Sequence, residues 1–376
     1  MPETRVLMSV GDESGDLHAS NLMRALRALR PDVRFVGFGM SRMAELGLES
    51  IATEEPHGSA MWLHNVARMG HYRRRLDACC DYIEREGVDL VLPVDFGGFN
   101  LVLCREATRR GVPSFYYIPP QVWAHATYRL KKLRKWVTRA GLIYPFEPAL
   151  YERYGVAAHY VGHPLFDEME RHPPSPEAVE RLRERFGPNL VGLFPGSRLQ
   201  EVRAHMAMLK AACRTIRAAV PDVAFALRCP SGVSGAVMEM LGDDGLIATV
   251  EDATALELAR ASRICLTKSG TITLEIASQG TPMVIFYRCS PLLLFVAYGL
   301  SRSPWIALVN TLAGREICFE KAMGRDQPAW LAREGLRLLQ DPEAHETCRH
   351  AIATALDGFA VPGASARAAE AALSLV

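Results

Sequence analysis

The chain has 376 residues, 49% of them hydrophobic and 23% charged, with 43 Lys and Arg against 42 Asp and Glu. At ~150 residues per domain this length suggests about two to three domains, which excludes a disulfide-stapled mini-protein. A net charge of +1 leaves no whole-chain basic field, which argues against bulk nucleic-acid binding. The opening segment, MPETRVLMSVGDESGD, has no apolar h-region and no cleavage pattern, so no signal peptide is expected. Mean hydropathy is +0.03, yet the best apolar stretch, Pro291 to Leu300, falls short of the ~18 residues of a membrane span. Nine cysteines lie scattered with no CxxC, and Cys265 and Cys289 sit inside apolar runs. They read as reduced thiols acting as small hydrophobes, and no His or Cys pair falls at metal-ligand spacing.

Short apolar runs alternate with amphipathic stretches. In the first half Val6–Val10, Phe35–Phe38, Leu90–Val94, Ser114–Ile118, Leu142–Tyr144 and His159–Val161 read as strands, with helices at Leu17–Leu29, Tyr72–Arg85 and Leu101–Arg110. Near-continuous apolar strands between helices predict a parallel sheet covered on both faces. The segment HPLFDEMERHPPSP, residues 163–176, is polar and holds four prolines, so residues 166–176 are taken as a linker. The alternation then restarts, with strands at Leu190–Phe194, Ala224–Leu227, Leu246–Val250, Ile264–Thr267 and Met283–Phe286. Helices are expected at Glu201–Ala219, Ala253–Ala261 and Thr271–Ser278, and the chain reads as mostly helical after Gln327. The expectation is α/β: two doubly wound Rossmann-like domains, 1–165 and 177–376, facing a cleft, with a helical C-terminus.

Several motifs fall at strand ends. Gly11-Asp12-Glu13-Ser14-Gly15-Asp16 follows the first strand. It reads either as a tight turn with Ser14 or Asp16 capping the next helix, or as a substrate-facing loop. Asp95, in Val94-Asp95-Phe96-Gly97-Gly98-Phe99-Asn100, is either a helix cap or a general base. Phe194-Pro195-Gly196-Ser197-Arg198, with Glu201 one turn on, opens a long helix. Free N–H groups, the helix dipole and the Arg198 fork favour a phosphate there; the plainer reading pairs Arg198 with Glu201. Thr267-Lys268-Ser269-Gly270-Thr271, with Glu275 beyond it, offers a second helix start. Two such starts in one domain suggest a diphosphate, and Glu275 is placed to accept from ribose hydroxyls. Neither motif is a Walker A, which disfavours ATPase chemistry.

The run Tyr128-Arg129-Leu130-Lys131-Lys132-Leu133-Arg134-Lys135-Trp136 is either a solvated helix face with a buried stripe or a contact for an anionic membrane surface. Met61 and Trp62 add apolar surface, with core packing the default. His163 is either a structural histidine or cleft lining at the domain junction.

Together these motifs resemble the lipid-A-disaccharide synthase family, inverting glycosyltransferases of the GT-B type, in order along nearly the whole chain. GDESGD resembles the family's GExSGD, VDFGGFN its IDxPDFN, and Pro120-Gln121-Val122-Trp123-Ala124 its SPSVWAW. Val161-Gly162-His163-Pro164, PGSR with Glu201-Val202, SGT with Glu275, and Asn310-Thr311-Leu312-Ala313-Gly314-Arg315-Glu316 resemble further family blocks. Arg34–Gly37 followed by Arg42-Met43 does too.

The resemblance implies transfer of 2,3-diacylglucosamine from its UDP donor to the 6-hydroxyl of 2,3-diacylglucosamine 1-phosphate. The substrates are a UDP-sugar and an acylated sugar phosphate, with no cofactor, no metal and no nucleic-acid partner. The setting implied is cytoplasmic, peripheral on the inner face of the inner membrane, and a homodimer is compatible with it. Carried over by residue, Asp95 is the candidate base. Gly196, Ser197, Arg198, Glu201, Ser269, Gly270, Thr271, Glu275, Asn310 and Arg315 are expected on the nucleotide and donor side. Ser14, Asp16, Met61, Asn100, Arg129 and His163 are expected on the acceptor side or lining the cleft.

The chain also departs from the family pattern. Gly98 stands for the second Asp of IDxPDFN, Asp12 for the Glu of GExSGD, and Trp62 and Asn65 for a Gly and a Glu. His125 and Met323 replace a Trp and a Gln. Most departures fall in the first half. They keep open a divergent UDP-sugar glycosyltransferase, an epimerase on the same fold, and a non-catalytic nucleotide-sugar-binding protein.

Overall fold

The computed structural model describes residues 3–51, 69–123, 127–228, 234–242, 245–291, 294 and 303–376. Met61, Trp62, Asn65 and His125 lie outside the described residues. The chain divides into two compact units, Met1–Glu170 with Val361–Val376, and Arg171–Ala360.

The first unit has strands β1 (Arg5–Ser9), β2 (Arg34–Phe38), β3 (Glu49–Ser50), β4 (Leu90–Pro93), β5 (Phe115–Tyr117), β6 (Arg139–Leu142) and β7 (Ala158–Tyr160). One parallel sheet runs β3-β2-β1-β4 and another β5-β6-β7. Parallel bridges Val91–Ser114 and Val94–Tyr117 join β4 to β5. Its helices are α1 (Glu13–Leu29), α2 (Ser41–Glu45), α3 (Met69–Glu86), α4 (Asn100–Arg109), α5 (Arg129–Trp136), α6 (Glu147–Arg153) and α7 (Leu165–Arg171). Every residue of β4 is buried, as a strand covered on both faces requires. One core cluster joins Leu7 and Val91 to Cys79 of α3 and Leu103 of α4; another joins Tyr116 and Leu142 to Leu130 and Leu133 of α5.

The second unit has β8 (Leu190–Phe194), β9 (Ala224–Arg228), β10 (Ala248–Val250), β11 (Ile264–Lys268), β12 (Met283–Arg288) and β13 (Phe319–Met323). They form one parallel sheet in the order β10-β9-β8-β11-β12-β13. Its helices are α8 (Pro176–Phe186), α9 (Leu199–Ala219), α10 (Ser234–Leu241), α11 (Ala255–Ala261), α12 (Ile272–Ser278), α13 (Leu308–Ala313), α14 (Pro328–Gln340) and α15 (Pro342–Leu356). Both units are doubly wound. The strand order reverses between β1 and β4 in one and between β8 and β11 in the other. Ligands of such sheets bind beyond the carboxyl ends of the strands at that reversal.

Three expectations need correction. Residues 166–176 are not one irregular linker: α7 runs to Arg171, and α8 starts at Pro176 behind its Ser175 cap. Residues 361–376 do not belong with 177–360. The last helix, α16 (Ala364–Leu373), packs along α1 in the first unit. Asp167 on α7 ties down the start of α16: its carboxylate accepts from the N–H groups of Gly363, Ala364 and Ser365 at 2.7, 3.0 and 2.8 Å. Finally, β13 was not foreseen, because FEKAM is a partly exposed edge strand without the apolar run of a central one.

Candidate functional site

The second unit holds a cavity of about 400 Å³ at its strand reversal, lined by Phe194, Pro195, Gly196, Ser197, Arg228, Ala255, Lys268, Gly270, Thr271, Ile272 and Glu275. The lining comes from the carboxyl ends of β8, β9 and β11, the turns after β8 and β11, and the first turns of α11 and α12. Gly196 has φ +133, a conformation that favours glycine. A Cβ there would also lie 2.5 Å from the Glu201 carboxylate. Glu201 folds back over this turn and accepts from the Ser197 N–H at 3.1 Å. Its other oxygen pairs with Lys268 Nζ at 3.0 Å. Burial pushes the Glu201 carboxyl up, but Lys268 and the backbone N–H groups outweigh it and hold the group below its ordinary range. Burial raises the Glu275 carboxyl, with Arg228 opposing.

The other donor-side residues are not in the cavity lining, although Arg198 directly follows the lining residue Ser197. Arg198 is exposed at the N-cap of α9. Ser269 spends its hydroxyl on the Ile306 carbonyl at 2.6 Å, so it does not present that hydroxyl to the cavity. Asn310 is fully buried: its amide donates to Cys318 O and accepts from Ile317 N and Cys318 N. It clamps the chain ahead of β13. Arg315 is exposed on the turn after α13. The second expected helix start is weak, since α12 has only seven residues and little dipole.

At the reversal of the first unit stand two carboxylates. Asp12 caps α1, accepting from Gly15 N at 2.9 Å; neither Ser14 nor Asp16, the caps named under the tight-turn reading, fills that role. Asp95 follows β4. Burial, then the nearby Asp12 charge, raises the Asp95 carboxyl to about 6. The backbone here is strained: Asp95 and Phe96 have φ +50 and +52, and Ile118, after β5, has φ +57. Asn100 holds the strain in place. Fully buried, it donates to the carbonyls of Ser9, Val94 and Asp95. Tyr116 OH donates to the same Asp95 carbonyl at 2.8 Å. Gly11 leaves room for the loop, since a Cβ there would lie 2.2 Å from the Phe96 ring.

The remaining acceptor-side residues divide. Ser14 is exposed, its hydroxyl 3.4 Å from His18 Nε2. Arg129 is half-buried at the start of α5. Asp16 is buried and caps α2, accepting from Met40 N at 2.7 Å and Arg42 N at 3.0 Å. His163 is only 4% exposed, and its Nδ1 accepts from Leu165 N. Burial lowers its ring to about 3, so it is neutral. Asp16, Asn100 and His163 therefore hold backbone; they do not line an open surface. Gly98 is exposed with open space about its Cβ direction, so sterics do not account for the missing Asp.

Sequence reading missed two residues that shape the nucleotide-side cavity. Arg228 ends β9, and only its place at a strand's carboxyl end could have singled it out. His205 lies one turn past Glu201, and its Nδ1–H donates to the Pro195 carbonyl at 2.6 Å. Among the described residues no group of three or more His, Cys, Asp or Glu is placed to hold a metal ion.

Comparison with known proteins shows the fold and the family. Over its full length the chain has the fold of the calicheamicin glycosyltransferase, at TM-score 0.63 and 15% identity, covering 100% of this chain and 98% of that one. It also has the fold of a UDP-GlcNAc 2-epimerase from Neisseria meningitidis, at TM-score 0.62 and 11% identity, covering 99% of each. Both likenesses concern the fold alone. A lipid-A-disaccharide synthase from Geobacter sulfurreducens is 34% identical across 99% of this chain and 97% of its own. Another, from Anaeromyxobacter dehalogenans, is 35% identical across 99% and 97%. The profile of the lipid-A-disaccharide synthetase family matches residues 6–370, and the chain belongs to that family.

Proposed function

We propose that the chain is a glycosyltransferase that joins two acylated glucosamines. The donor is UDP-2,3-diacylglucosamine and the acceptor 2,3-diacylglucosamine 1-phosphate; the products are the β-1,6 disaccharide and UDP. The observation that carries this reading is Asp95, a strained, largely buried carboxylate at a strand reversal, in a chain of this family. Burial brings it near the operating pH, where a general base works best. It takes the proton of the acceptor 6-hydroxyl as that oxygen attacks the anomeric carbon. The bond from that carbon to the UDP oxygen breaks, and UDP leaves with the electron pair. The cavity of the second unit is the place of the nucleotide diphosphate. Its support is the α9 N-terminus, with 21 residues of aligned dipole, and the cations Arg228 and Lys268.

The test is product formation from the two acylated substrates, with Asp95→Asn as control. Disaccharide from the wild type and none from the control supports both the function and the base. No disaccharide, with UDP still bound, turns the reading to another UDP-sugar reaction. Arg198→Ala is expected to weaken UDP binding about tenfold in calorimetry, the loss of one charge-assisted phosphate contact. Unchanged affinity removes Arg198 from the phosphate site.

The same reading sets the protein peripherally on the inner face of the inner membrane. No described helix is long and apolar enough to cross a bilayer. On α5, Lys131, Lys132, Arg134 and Lys135 are exposed while Leu130 and Leu133 are buried, so the helix offers charge outward and spends its apolar stripe on the core. That pattern supports docking on anionic headgroups without insertion of this helix.

A further inference from the structure

The Glu201–Lys268 pair has a use beyond holding two loops together. Glu201 does what a bound anion would do: its carboxylate lies against Gly196 and takes the Ser197 N–H at the start of α9. Lys268 reaches that same carboxylate from the end of β11, the neighbouring strand. Its Nζ also lies 3.8 Å from the Cβ direction of Gly270, so it stands between the turn after β8 and the turn after β11. The ammonium is partly open to solvent, at 20% side-chain exposure, and it lines the cavity. Because α12 is too short to contribute much dipole, the positive charge on this side of the cavity must come from a side chain.

From this we infer that Lys268, together with Arg228, compensates the nucleotide diphosphate, and that Glu201 is the internal stand-in anion of Lys268, displaced when the diphosphate binds. The inference rests on the nucleotide reading of this cavity. On binding, the diphosphate takes over the Ser197 N–H and the ammonium from the carboxylate. The ion pair thus keeps Lys268 positioned in the empty protein and competes with the ligand for it.

The experiment is calorimetry of the full chain with UDP and UMP. Lys268→Met is expected to weaken UDP by about tenfold or more, the scale of a lost charge-assisted hydrogen bond, and UMP by less. Lys268→Arg restores part of the UDP affinity. Glu201→Gln keeps an acceptor for Ser197 N–H but removes the competing charge, so it is expected to tighten UDP. A purely structural ion pair gives the opposite pattern, with Glu201→Gln and Lys268→Met weakening UDP and UMP alike, and that overturns the inference. Wild-type binding of UDP that survives Lys268→Met overturns the assignment of Lys268 alone. A wild-type chain that binds neither nucleotide overturns the nucleotide reading and this inference with it.

Discussion

Asp95→Asn is expected to cut the rate of disaccharide formation by ~10²–10⁴-fold, the usual contribution of a positioned general base, while making the first unit more stable. The two effects share one cause. Burial and the Asp12 charge raise the Asp95 carboxyl from 3.8 to about 6 in the folded chain. Between those values the folded state holds a proton that the unfolded chain has released. Stability therefore falls as pH rises through that window, and the full cost is present above about 6. At 1.36 kcal/mol per pKa unit the cost is at most about 3 kcal/mol. Asn carries no charge to bury, and it is one of the few residues at ease at φ +50. A melting temperature raised by roughly a few degrees at pH 7, with the gain gone near pH 4, is the expected calorimetric result. The matching kinetic result is a wild-type kcat/KM that rises with pH through about 6, an acid limb absent from the residual activity of the variant. A variant that keeps full activity sinks the base assignment; one that loses stability sinks the buried-charge argument.

The sheets were legible because a strand covered on both faces must be apolar throughout, and Val6–Val10, Leu90–Val94 and Leu190–Phe194 could hardly be anything else. The strand ends that carry Asp95 and Gly196–Ser197 were legible for the same reason, since a polar or glycine-rich break after such a run marks the carboxyl edge. What the side chains do there was less legible. Asp16, Asn100, Ser269 and Asn310 have the residue types of ligand contacts, yet Asp16, Ser269 and Asn310 spend their polar atoms, and Asn100 its NH₂, on backbone groups brought near by the fold. Sequence separation hid those partners: Asp16 reaches Met40, and Ser269 reaches Ile306. The positive φ at Asp95, Phe96 and Ile118 was invisible too, because none of these residues announces it as a glycine would. Lys268 stood in a quoted motif without a role, because only the crossover from β8 to β11 brings it against Glu201.

Asp167→Asn is expected to loosen the first turn of the C-terminal helix. The three N–H groups that open α16 converge on this one buried carboxylate, 5% exposed, across almost two hundred residues of chain. An amide can accept on one side only; its NH₂ would face the Ser365 N–H, leaving a buried donor against a donor. The loss is about 2–4 kcal/mol, for one charge-assisted bond broken and two weakened. Gly363 has φ +95, and a Cβ there would sit 2.8 Å from the Arg367 guanidinium, so only glycine suits the entry to this helix. Arg367 Nε still donates to Val161 O at 2.8 Å, which anchors the helix one turn further on and limits the damage to its first turn. Faster amide exchange across 363–365 and a lower melting temperature for the first unit are the expected readouts. Because α16 packs along α1, and α1 begins at Asp12 beside Asp95, a rate loss is expected as well, smaller than that of Asp95→Asn. Unaltered exchange at 363–365 would mean that α1 and Arg367 hold the helix unaided, and that Asp167 is a passive neighbour of the helix it caps.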